Sequence, residues 1–251
     1  MGKIMKFILT ALVFIAMVFT FGCKKSSSET IISVATDATW PPMEMIDANK
    51  NIVGFDIDLM NAAAEAGGFK VEIRNAAWEG IFAGLESGEY DAGISSVTIT
   101  EERKKQYDFS IPYINAGQVL IVRIEEENYN SLQDLVGKSA GAQIGTTGAY
   151  EIEKIEGITL KTYDELGFAI EDLANGRIDC VVSDTPIAAN YVLQNDKYTG
   201  KLKIVGTPFT EEYYGVAVRK GNVKVLNMIN AGLNKILGTE IVTQLEDKWL
   251  K

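Results

Sequence analysis

The chain has 251 residues, 47% hydrophobic and 23% charged, a globular composition that excludes intrinsic disorder and allows one large domain or two small ones. Its formal net charge of −10 leaves no basic surface for nucleic acid, so DNA- and RNA-binding functions are excluded. Histidine is absent and only two cysteines are present, which excludes histidine-based catalytic triads, imidazole-rich metal sites and all-thiolate zinc sites.

The N-terminal segment is predicted to be an export signal. Lys3 and Lys6 give it a positive start, and the charge-free apolar run that follows is shorter than the roughly 20 residues of a membrane-spanning helix. The segment Thr20–Cys23 resembles the lipobox of bacterial lipoproteins, in which the cysteine is lipidated and becomes the mature N-terminus. We therefore expect a lipoprotein signal peptide at residues 1–22, lipidation of Cys23 and a polar tether at residues 23–30. An uncleaved membrane anchor is the alternative.

From Thr30 onward, short β-rich runs alternate with helical patterns, which predicts α/β units around largely parallel sheets. The strand candidates are Ile31–Ala35, Lys70–Arg74, Asp91–Ser95, Val119–Val122, Ser139–Gln143, Thr159–Thr162, Asp179–Ser183 and Lys203–Val205. The helix candidates are Asp56–Ala66, Glu79–Ser87, Thr147–Ile155, Glu165–Asn175, Thr185–Leu193 and the tail Val223–Lys251, which is broken near Gly238. More strands are present than one short sheet needs, so two lobes are predicted. Periodicity alone does not assign the tail to either lobe.

Asp37 follows the first strand candidate and precedes Trp40, which a Pro-Pro pair follows at once. Trp40 and Trp78 have an ordinary structural explanation, because most aromatic side chains lie in the core or close a helix start. If they instead face a cleft, they provide flat walls for an aliphatic chain or a cation. Asp37 would then contact the polar end of the bound group.

Thr100 is a good N-cap residue for a helix whose first turn contains Arg103. A cation at that position is unfavourable by roughly a few tenths of a kcal/mol, so Arg103 requires an anionic partner. One alternative is an ion pair with Glu101, Glu102 or a nearby aspartate. The other is a guanidinium that offers two parallel hydrogen bonds to a ligand carboxylate, beside the hydroxyl of Thr98.

The sequence Gly145-Thr146-Thr147-Gly148 lies between a strand candidate and a helix candidate. Free backbone N–H groups and the positive end of the helix converge on an anion at such a position, although a tight turn with a threonine cap explains the residues equally well. Asp184 ends the next apolar strand and precedes a proline. It either caps the following helix or places a carboxylate at the sheet edge for an ammonium group.

Taken together, these positions form a pattern that is far more specific than any one of them. The chain resembles the polar amino-acid-binding proteins of bacterial ABC importers, solute-binding protein family 3, from Ile31 to Leu250. The motifs that carry the resemblance are Trp40–Glu44, Gly54–Leu59, Thr98–Arg103, Asp108–Tyr113, Ser131–Leu135, Gly145–Gly148, Asn175–Asp179 and Tyr214–Lys220.

The family fold implies an α/β protein of the type II periplasmic-binding-protein class, with two lobes, two crossing hinge strands and a ligand cleft between the lobes. The crossings are expected near Gly117 and at residues 210–213. Lobe 1 would then comprise residues 31–116 and a return segment, residues 211–251, while residues 117–210 form lobe 2.

The resemblance also implies a ligand role for each matched residue. Arg103 is expected to bind the α-carboxylate of an amino acid and Asp184 its α-ammonium group, so that each charge meets its opposite in a closed cleft. The residues implied to assist are Ser96 (through its carbonyl) and Thr98 from lobe 1, and Thr146 and Thr147 from lobe 2.

For the ligand side chain, the resemblance implies aromatic walls at Trp40 and Trp78. It also implies an acidic contact at Asp37, and Gln143 is a further candidate. Met43 departs from the phenylalanine that is usual in the family, and Ser183 stands where some glutamine-binding members differ, so specificity is not carried over intact. An acid at position 37 disfavours acidic ligands and favours lysine, arginine, histidine or glutamine.

The function expected from the resemblance is that of a substrate-binding lipoprotein. It would capture a polar or cationic L-amino acid by hinge closure and deliver it to a membrane permease driven by an ATPase. It is expected to be an exported, lipid-anchored monomer without enzymatic activity, metal or cofactor. The alternatives are a cyclohexadienyl or arogenate dehydratase-like enzyme, with Glu44 or Glu79 as its acid or base, and an amino-acid sensor outside transport.

Overall fold

The computed structural model describes residues 30–251 of the chain. The predicted signal peptide, Cys23 and all of the predicted tether except its last residue lie outside the described residues. Within residues 30–251, no helix combines the length and the apolar composition that a membrane crossing requires.

The first lobe is built on a five-stranded sheet. Its strands are β1 (Ile31–Thr36), β5 (Lys70–Asn75), β6 (Ala92–Gly93), β7 (Tyr107–Phe109) and β15 (Ala217–Arg219). Their order across the sheet is β5-β1-β6-β15-β7. β1 is parallel to β5 and β6, whereas β15 enters between β6 and β7 and is antiparallel to both. A strand from near the end of the chain therefore completes a sheet that begins at residue 31.

Helices and a small sheet surround this first sheet. The helices are α1 (Phe55–Gly67), α2 (Trp78–Ser87), α3 (Glu101–Gln106), α7 (Val223–Ile236) and α8 (Glu240–Trp249), and the small sheet consists of β2 (Thr39–Trp40), β3 (Glu44–Ile46) and β4 (Ile52–Val53). α7 buries one face, which comprises Val225, Ile229, Gly232, Leu233 and Ile236. That 3.6-residue spacing explains why the segment is helical, and its buried face packs on α1 of lobe 1.

The second lobe is built on another five-stranded sheet. Its strands are β9 (Gln118–Arg123), β10 (Ser139–Gln143), β11 (Thr159–Tyr163), β12 (Cys180–Asp184) and β13 (Leu202–Val205), in the order β11-β10-β12-β9-β13. Its helices are α4 (Thr147–Glu153), α5 (Leu166–Ala174) and α6 (Thr185–Ala189), with a 3₁₀ turn at Leu132–Leu135 and a π turn at Asn190–Gln194. β12 is buried along its whole length, as expected for a central strand covered on both faces.

Two crossing segments join the lobes. They contain β8 (Ile114–Asn115) and β14 (Tyr213–Tyr214), which pair with each other in antiparallel orientation. Next to them, a Cβ atom on Gly117 would lie 2.4 Å from the carbonyl oxygen of Thr210. Only glycine allows the two crossing segments to approach this closely.

Most predicted elements are present, but two differ from expectation. The strand predicted at Asp91–Ser95 is only two residues long, because the chain bends after β6 and Ser96 adopts a φ of 51°. The helix predicted at Thr185–Leu193 changes to a π turn after Ala189. The break near Gly238 is confirmed: that residue has a φ of 74° and lies between α7 and α8.

Candidate functional site

A small cavity lies between the two lobes, which are closed on each other: Arg103 of lobe 1 donates a hydrogen bond to the Gly145 carbonyl of lobe 2. The residues that line it are Asp37, Trp40, Trp78, Ser95, Ser96, Thr98, Arg103, Gln143, Thr146, Thr147 and Asp184. All ten residues predicted from the sequence therefore surround one cavity, and Ser95 is the only addition.

Strand ends and helix starts position most of these side chains. Asp37 follows β1, Gln143 and Asp184 end β10 and β12, and Trp78 and Thr147 are the first residues of α2 and α4. In α/β sheets, the carboxyl ends of the strands and the adjoining helix N-termini form the edge where ligands bind. Each lobe contributes one such edge, and the two edges face each other across the cavity.

Arg103 is held by backbone carbonyl groups from both lobes. Its Nη1 donates to the carbonyl oxygen of Thr98 at 2.9 Å and its Nη2 to that of Gly145, in lobe 2, at 3.1 Å. The guanidinium carbon lies 5.3 Å from the ring centroid of Trp78 and 5.6 Å from that of Phe82. Burial lowers the pKa of Arg103, but a guanidinium stays charged in proteins. The cation is thus fixed in orientation, with N–H donors remaining for an anion.

The local ion pair considered for Arg103 does not form. Glu101 instead pairs with Lys104 at 2.7 Å, and Glu102 pairs with Lys105. Thr100 caps α3 as predicted, since its hydroxyl accepts from the backbone N–H of Arg103 at 3.1 Å. The neighbouring acids are therefore engaged elsewhere, and Arg103 points toward the cavity without a carboxylate partner in direct contact.

Thr146 and Thr147 lie at the N-terminus of α4. The Thr146 hydroxyl donates to the carbonyl oxygen of Gln143 at 2.7 Å and accepts from the backbone N–H of Ala149 at 3.4 Å. The helix cap that the sequence allowed is thus present. The cap does not exclude a ligand role, because Thr146 still lines the cavity.

Asp184 occupies the N-cap position of α6, but its side chain makes no capping hydrogen bond. The carboxylate is 5% exposed, and its Oδ1 atom has no hydrogen-bond partner among the described residues. Burial raises the pKa of Asp184 to about 7, and the negative charge of Glu212 contributes to the same shift. A buried acceptor of this kind, facing a cavity, favours a cationic donor.

Asp37 is also buried, but its carboxylate has several partners. Oδ1 accepts from the hydroxyl of Thr39 at 2.9 Å, and Oδ2 accepts from Nε2 of Gln143, across the cleft, at 3.0 Å. Burial raises the pKa of Asp37, while these hydrogen bonds oppose the shift. The carboxylate is therefore held rigidly in a cavity that the Trp40 and Trp78 side chains also line.

Two buried carboxyl groups support the lobe 1 wall from behind. Asp56 Oδ2 accepts from the backbone N–H of Ser96 at 2.7 Å and from the Tyr113 hydroxyl at 2.8 Å, while Glu44 Oε1 accepts from the Ser95 hydroxyl at 3.2 Å. Burial and the neighbouring Asp56 raise the pKa of Glu44 well above its usual range, and burial raises the pKa of Asp56 to about 6. Because both carboxyl groups are fully buried and lie beside each other, their surroundings disfavour two negative charges at this position.

The two glutamates considered as acid or base of a dehydratase, and the cysteine of lobe 2, do not line the cavity. Glu44 is fully buried behind the wall, and Glu79 is exposed in a neighbouring cleft that Arg103 also borders. Cys180 is a free thiol buried in β12. Within residues 30–251, no group of three or more cysteine, aspartate or glutamate residues is arranged to hold a metal ion.

Two polar residues near the cavity were not singled out from the sequence. Ser95 immediately precedes the predicted Ser96, and its hydroxyl accepts from the backbone N–H of Asp37 at 2.9 Å. Glu212 is 8% exposed in the second crossing segment, where it accepts hydrogen bonds from Thr98 and Thr147. An acid inside a predicted hinge strand is a signal that could have identified Glu212.

The sequence model of the family described as "Bacterial extracellular solute-binding proteins, family 3" matches residues 32–251. Two similar proteins are a probable histidine-binding protein of Neisseria gonorrhoeae and the putative ABC transporter arginine-binding protein 2 of Escherichia coli K12. The first is 38% identical over 210 residues, which cover 82% of this chain and 78% of the relative. The second is 33% identical over 242 residues, covering 94% and 97%.

Among solved structures, an ancestral arginine-binding protein bound to arginine superposes with a TM-score of 0.83 at 41% sequence identity. The match covers 89% of this chain and 99% of that one. The two-lobe α/β architecture predicted from the sequence is confirmed by this likeness and by the two sheets.

Proposed function

The chain belongs to the bacterial extracellular solute-binding proteins, family 3, and from that membership we propose that it captures a cationic or polar L-amino acid between its lobes and delivers it to an ABC permease. Its relatives are amino-acid-binding proteins of ABC transporters. Lysine, arginine, histidine and glutamine are the proposed ligands. We further propose that Cys23 carries a lipid that anchors the exported protein to a bacterial membrane as a monomer.

One observation carries the proposal: the same closed cavity contains a fixed guanidinium and a buried carboxylate that has an unpartnered oxygen. Arg103 is suited to an α-carboxylate, and Asp184 is suited to an α-ammonium group. A free amino acid is a zwitterion that presents both charges on one carbon atom. Closure removes both contacts from water, which strengthens their electrostatic attraction.

The charge around the cavity supports a cationic side chain. Asp37 and Asp184 line the cavity, and the Glu44–Asp56 pair and Glu212 lie behind its walls, whereas Arg103 is the one cation among the lining residues in the described part of the chain. Even if the buried pair is left out of the count, the acids outnumber the base. A ligand with a net positive charge compensates this excess, while an acidic ligand increases it.

Titration calorimetry of the purified protein against the common amino acids tests the proposal, after unfolding and refolding to remove any co-purified ligand. We expect tight binding of at least one of the four proposed ligands and none of glutamate or aspartate. Absence of binding across the whole panel would sink the proposal. Assays with prephenate and arogenate test the dehydratase alternative, and any turnover would favour it.

Asp37→Asn tests the side-chain preference. Replacing the carboxylate with an amide removes one negative charge but preserves the shape of the side chain. Affinity for lysine and arginine should fall relative to affinity for glutamine, because only the cationic ligands lose an attraction between opposite charges. Asp47→Asn is the matched control, since Asp47 is a half-buried acid outside the cavity whose hydrogen bonds are all within its own turn. Its ligand preference should match that of the wild type.

A further inference from the structure

We propose that Glu212 is a positioning residue that fixes the hydroxyl groups of Thr98 and Thr147 as hydrogen-bond acceptors for the ammonium group of the ligand, and that it couples this orientation to lobe closure. The inference rests on the proposed amino-acid ligand. It concerns a residue of the crossing segment that does not itself line the cavity.

The carboxylate of Glu212 is at the centre of a buried hydrogen-bond network. Its Oε2 atom accepts from the Thr98 hydroxyl at 2.9 Å, the Thr147 hydroxyl at 2.7 Å and Nε2 of Gln118 at 3.4 Å. Its Oε1 atom accepts from the Thr210 hydroxyl at 2.9 Å. Thr98 belongs to lobe 1 and Thr147 to lobe 2, so a single carboxylate on the hinge connects both lobes.

The proton arrangement follows from elementary hydrogen-bond chemistry. An ionised carboxylate can only accept, whereas a threonine hydroxyl has one proton to donate and two lone pairs. Since Thr98 and Thr147 both donate to Glu212, neither proton is available for the other, and their 3.5 Å oxygen–oxygen contact joins two acceptors. Both hydroxyl oxygens are therefore left with lone pairs and no free proton.

Lone pairs at this position suit an ammonium group and reject a carboxylate. Thr147 uses one lone pair to accept from Gln118 Nε2 at 3.1 Å, so one remains, while Thr98 retains both. Asp184, the proposed ammonium partner, lies close enough to Glu212 for that charge to raise its pKa. The ammonium group of the ligand would thus contact the Asp184 carboxylate and the hydroxyl oxygens of Thr98 and Thr147. Glu212, in the crossing segment, orients both hydroxyl groups as acceptors.

The position of Glu212 couples this polarity to closure. The backbone carbonyl of Glu212 accepts from the N–H of Ala116 at 2.8 Å, and Tyr213 accepts from Ile99 at 2.8 Å. These contacts attach the second crossing segment to the first and to lobe 1. Opening the lobes separates Thr147 from Thr98, so Glu212 can hold both hydroxyl groups only when the lobes are closed.

Glu212→Gln is the decisive variant, and Glu211→Gln is its matched control, because Glu211 is the adjacent acid but is exposed and bonds only to Tyr213. An amide can donate, so it no longer forces both hydroxyls to donate to it. Binding of L-arginine, L-lysine, L-histidine and L-glutamine by the wild-type protein should weaken by about ten- to a hundredfold in Glu212→Gln. In Glu211→Gln, binding should stay within about twofold of the wild-type value. Equal affinities in Glu212→Gln and the wild type would overturn the proposal.

A second measurement distinguishes a change in the orientation of the threonine hydroxyl groups from a general loss of structure in Glu212→Gln. The wild-type protein should discriminate strongly between each bound amino acid and its α-hydroxy analogue, in which the ammonium group is replaced by a hydroxyl. That ratio should fall in Glu212→Gln, because a released threonine proton can serve the analogue. If both affinities fall by the same factor, the residue has only a structural role and the proposal is wrong.

Two further outcomes are distinguishable. If Glu212→Gln does not fold, as judged by circular dichroism, Thr147→Val and Thr147→Ser replace it. The serine variant should retain the discrimination ratio and the valine variant should lose it, and the reverse result contradicts the proposal.

If the wild-type protein binds none of the four amino acids, the proposed function fails, and the role of Glu212 in ammonium recognition fails with it.

Discussion

At the scale of single residues, Arg103 is distinguished by a strongly constrained environment. It is the third residue of the six-residue helix α3, and two aromatic rings flank its guanidinium. The two acids beside it pair with lysines instead. A cation held in this way, without a carboxylate partner in direct contact, is available for an anionic ligand.

Arg103→Ala should lose most of the amino-acid affinity, by about 2–5 kcal/mol, because the ligand carboxylate would enter a closed cleft without its charged partner. Titration calorimetry measures this loss. Arg74→Ala is the control, since Arg74 is exposed and pairs with Glu72 at 2.8 Å on the surface of lobe 1. Wild-type affinity in Arg103→Ala would show that another group binds the carboxylate.

Asp184 predicts a pH dependence of binding. The pKa of Asp184 is about 7 in the folded protein, compared with about 4 in the unfolded chain. Between these two pH values, the folded, ligand-free protein therefore carries one more proton at this site than the unfolded chain does. Only the ionised form attracts an ammonium group. Affinity should therefore be constant above pH 7 and fall by up to about tenfold per pH unit below it.

The same shift has a defined effect on stability. Because the folded state binds the proton more tightly, the contribution of Asp184 to the free energy of unfolding decreases as the pH rises from about 4 to about 7. Calorimetry at pH 6 in two buffers of different ionisation enthalpy should detect proton release on ligand binding, and at pH 8 it should detect almost none. Affinity that does not change between pH 8 and pH 5.5 contradicts this assignment.

The sequence predicted the identity of most cavity residues because each occupies a position with recognisable local chemistry. Asp184 at a strand end and Thr146 at a helix start are examples, and the family motifs supplied their proposed roles. Glu212 was missed because its importance arises from contacts with Thr98 and Thr147, which are 114 and 65 residues away along the chain. Periodicity and capping rules describe neighbours in sequence and contain no information on such contacts.

At the scale of elements, helix α7 packs so closely on α1 that the backbones nearly touch. A Cβ atom on Gly232 would lie 2.1 Å from the carbonyl oxygen of Ala63, well inside the contact distance. In α2, by contrast, a Cβ atom on Gly80 would have its nearest neighbour, the Cβ of Ala76, at 3.9 Å. The two helical glycines thus offer the same substitution in opposite surroundings.

Gly232→Ala should lower the free energy of unfolding by about 1–3 kcal/mol, because α7 must move away from α1 to accommodate the methyl group. Gly80→Ala should raise it by about 0.5 kcal/mol or more, because alanine is the better helix former and space is available. Urea denaturation of the ligand-free protein measures both values. The assignment of the close helix contact is contradicted if Gly232→Ala is as stable as the wild type.

The order of strands could not be predicted as well as their existence. The strands β1 and β12 were predicted from apolar, β-rich runs. β1 pairs in parallel with β5 and β6, as an α/β pattern implies, whereas β12 is parallel to β10 but antiparallel to β9. The insertion of β15 between β6 and β7 depends on a segment that returns after more than a hundred residues. The family resemblance, rather than any local pattern, implied that return.

At the scale of the whole molecule, the two sheets differ in how much of the chain they require. Every strand of the second sheet lies between Gln118 and Val205, whereas the first sheet combines strands from residues 31–109 with β15 at Ala217–Arg219. Helices α7 and α8 also complete the first lobe, where Lys248 pairs with Asp58 of α1 at 2.7 Å. Along the chain, the last strand of the second sheet therefore comes before the last strand of the first sheet.

A chain truncated after Thr210 should retain a folded second lobe and an unfolded or loosened first lobe. Hydrogen–deuterium exchange should show protected amides in β9–β13 and rapid exchange in β1, β5 and β6, which lack the cover of α7. The full chain is the control and should protect both sheets. Uniform protection in the truncated chain would show that β15, α7 and α8 are dispensable for the first sheet.

The late position of β15 has a consequence for a chain that is exported with its N-terminus first. The sheet of the first lobe stays incomplete until residues 217–219 have emerged, while every strand of the second sheet has emerged before then. During that interval β6 has an open edge where β15 will later pair. An unpaired strand edge can pair with other chains, so β6 is open to aggregation from the emergence of residue 93 until that of residue 217.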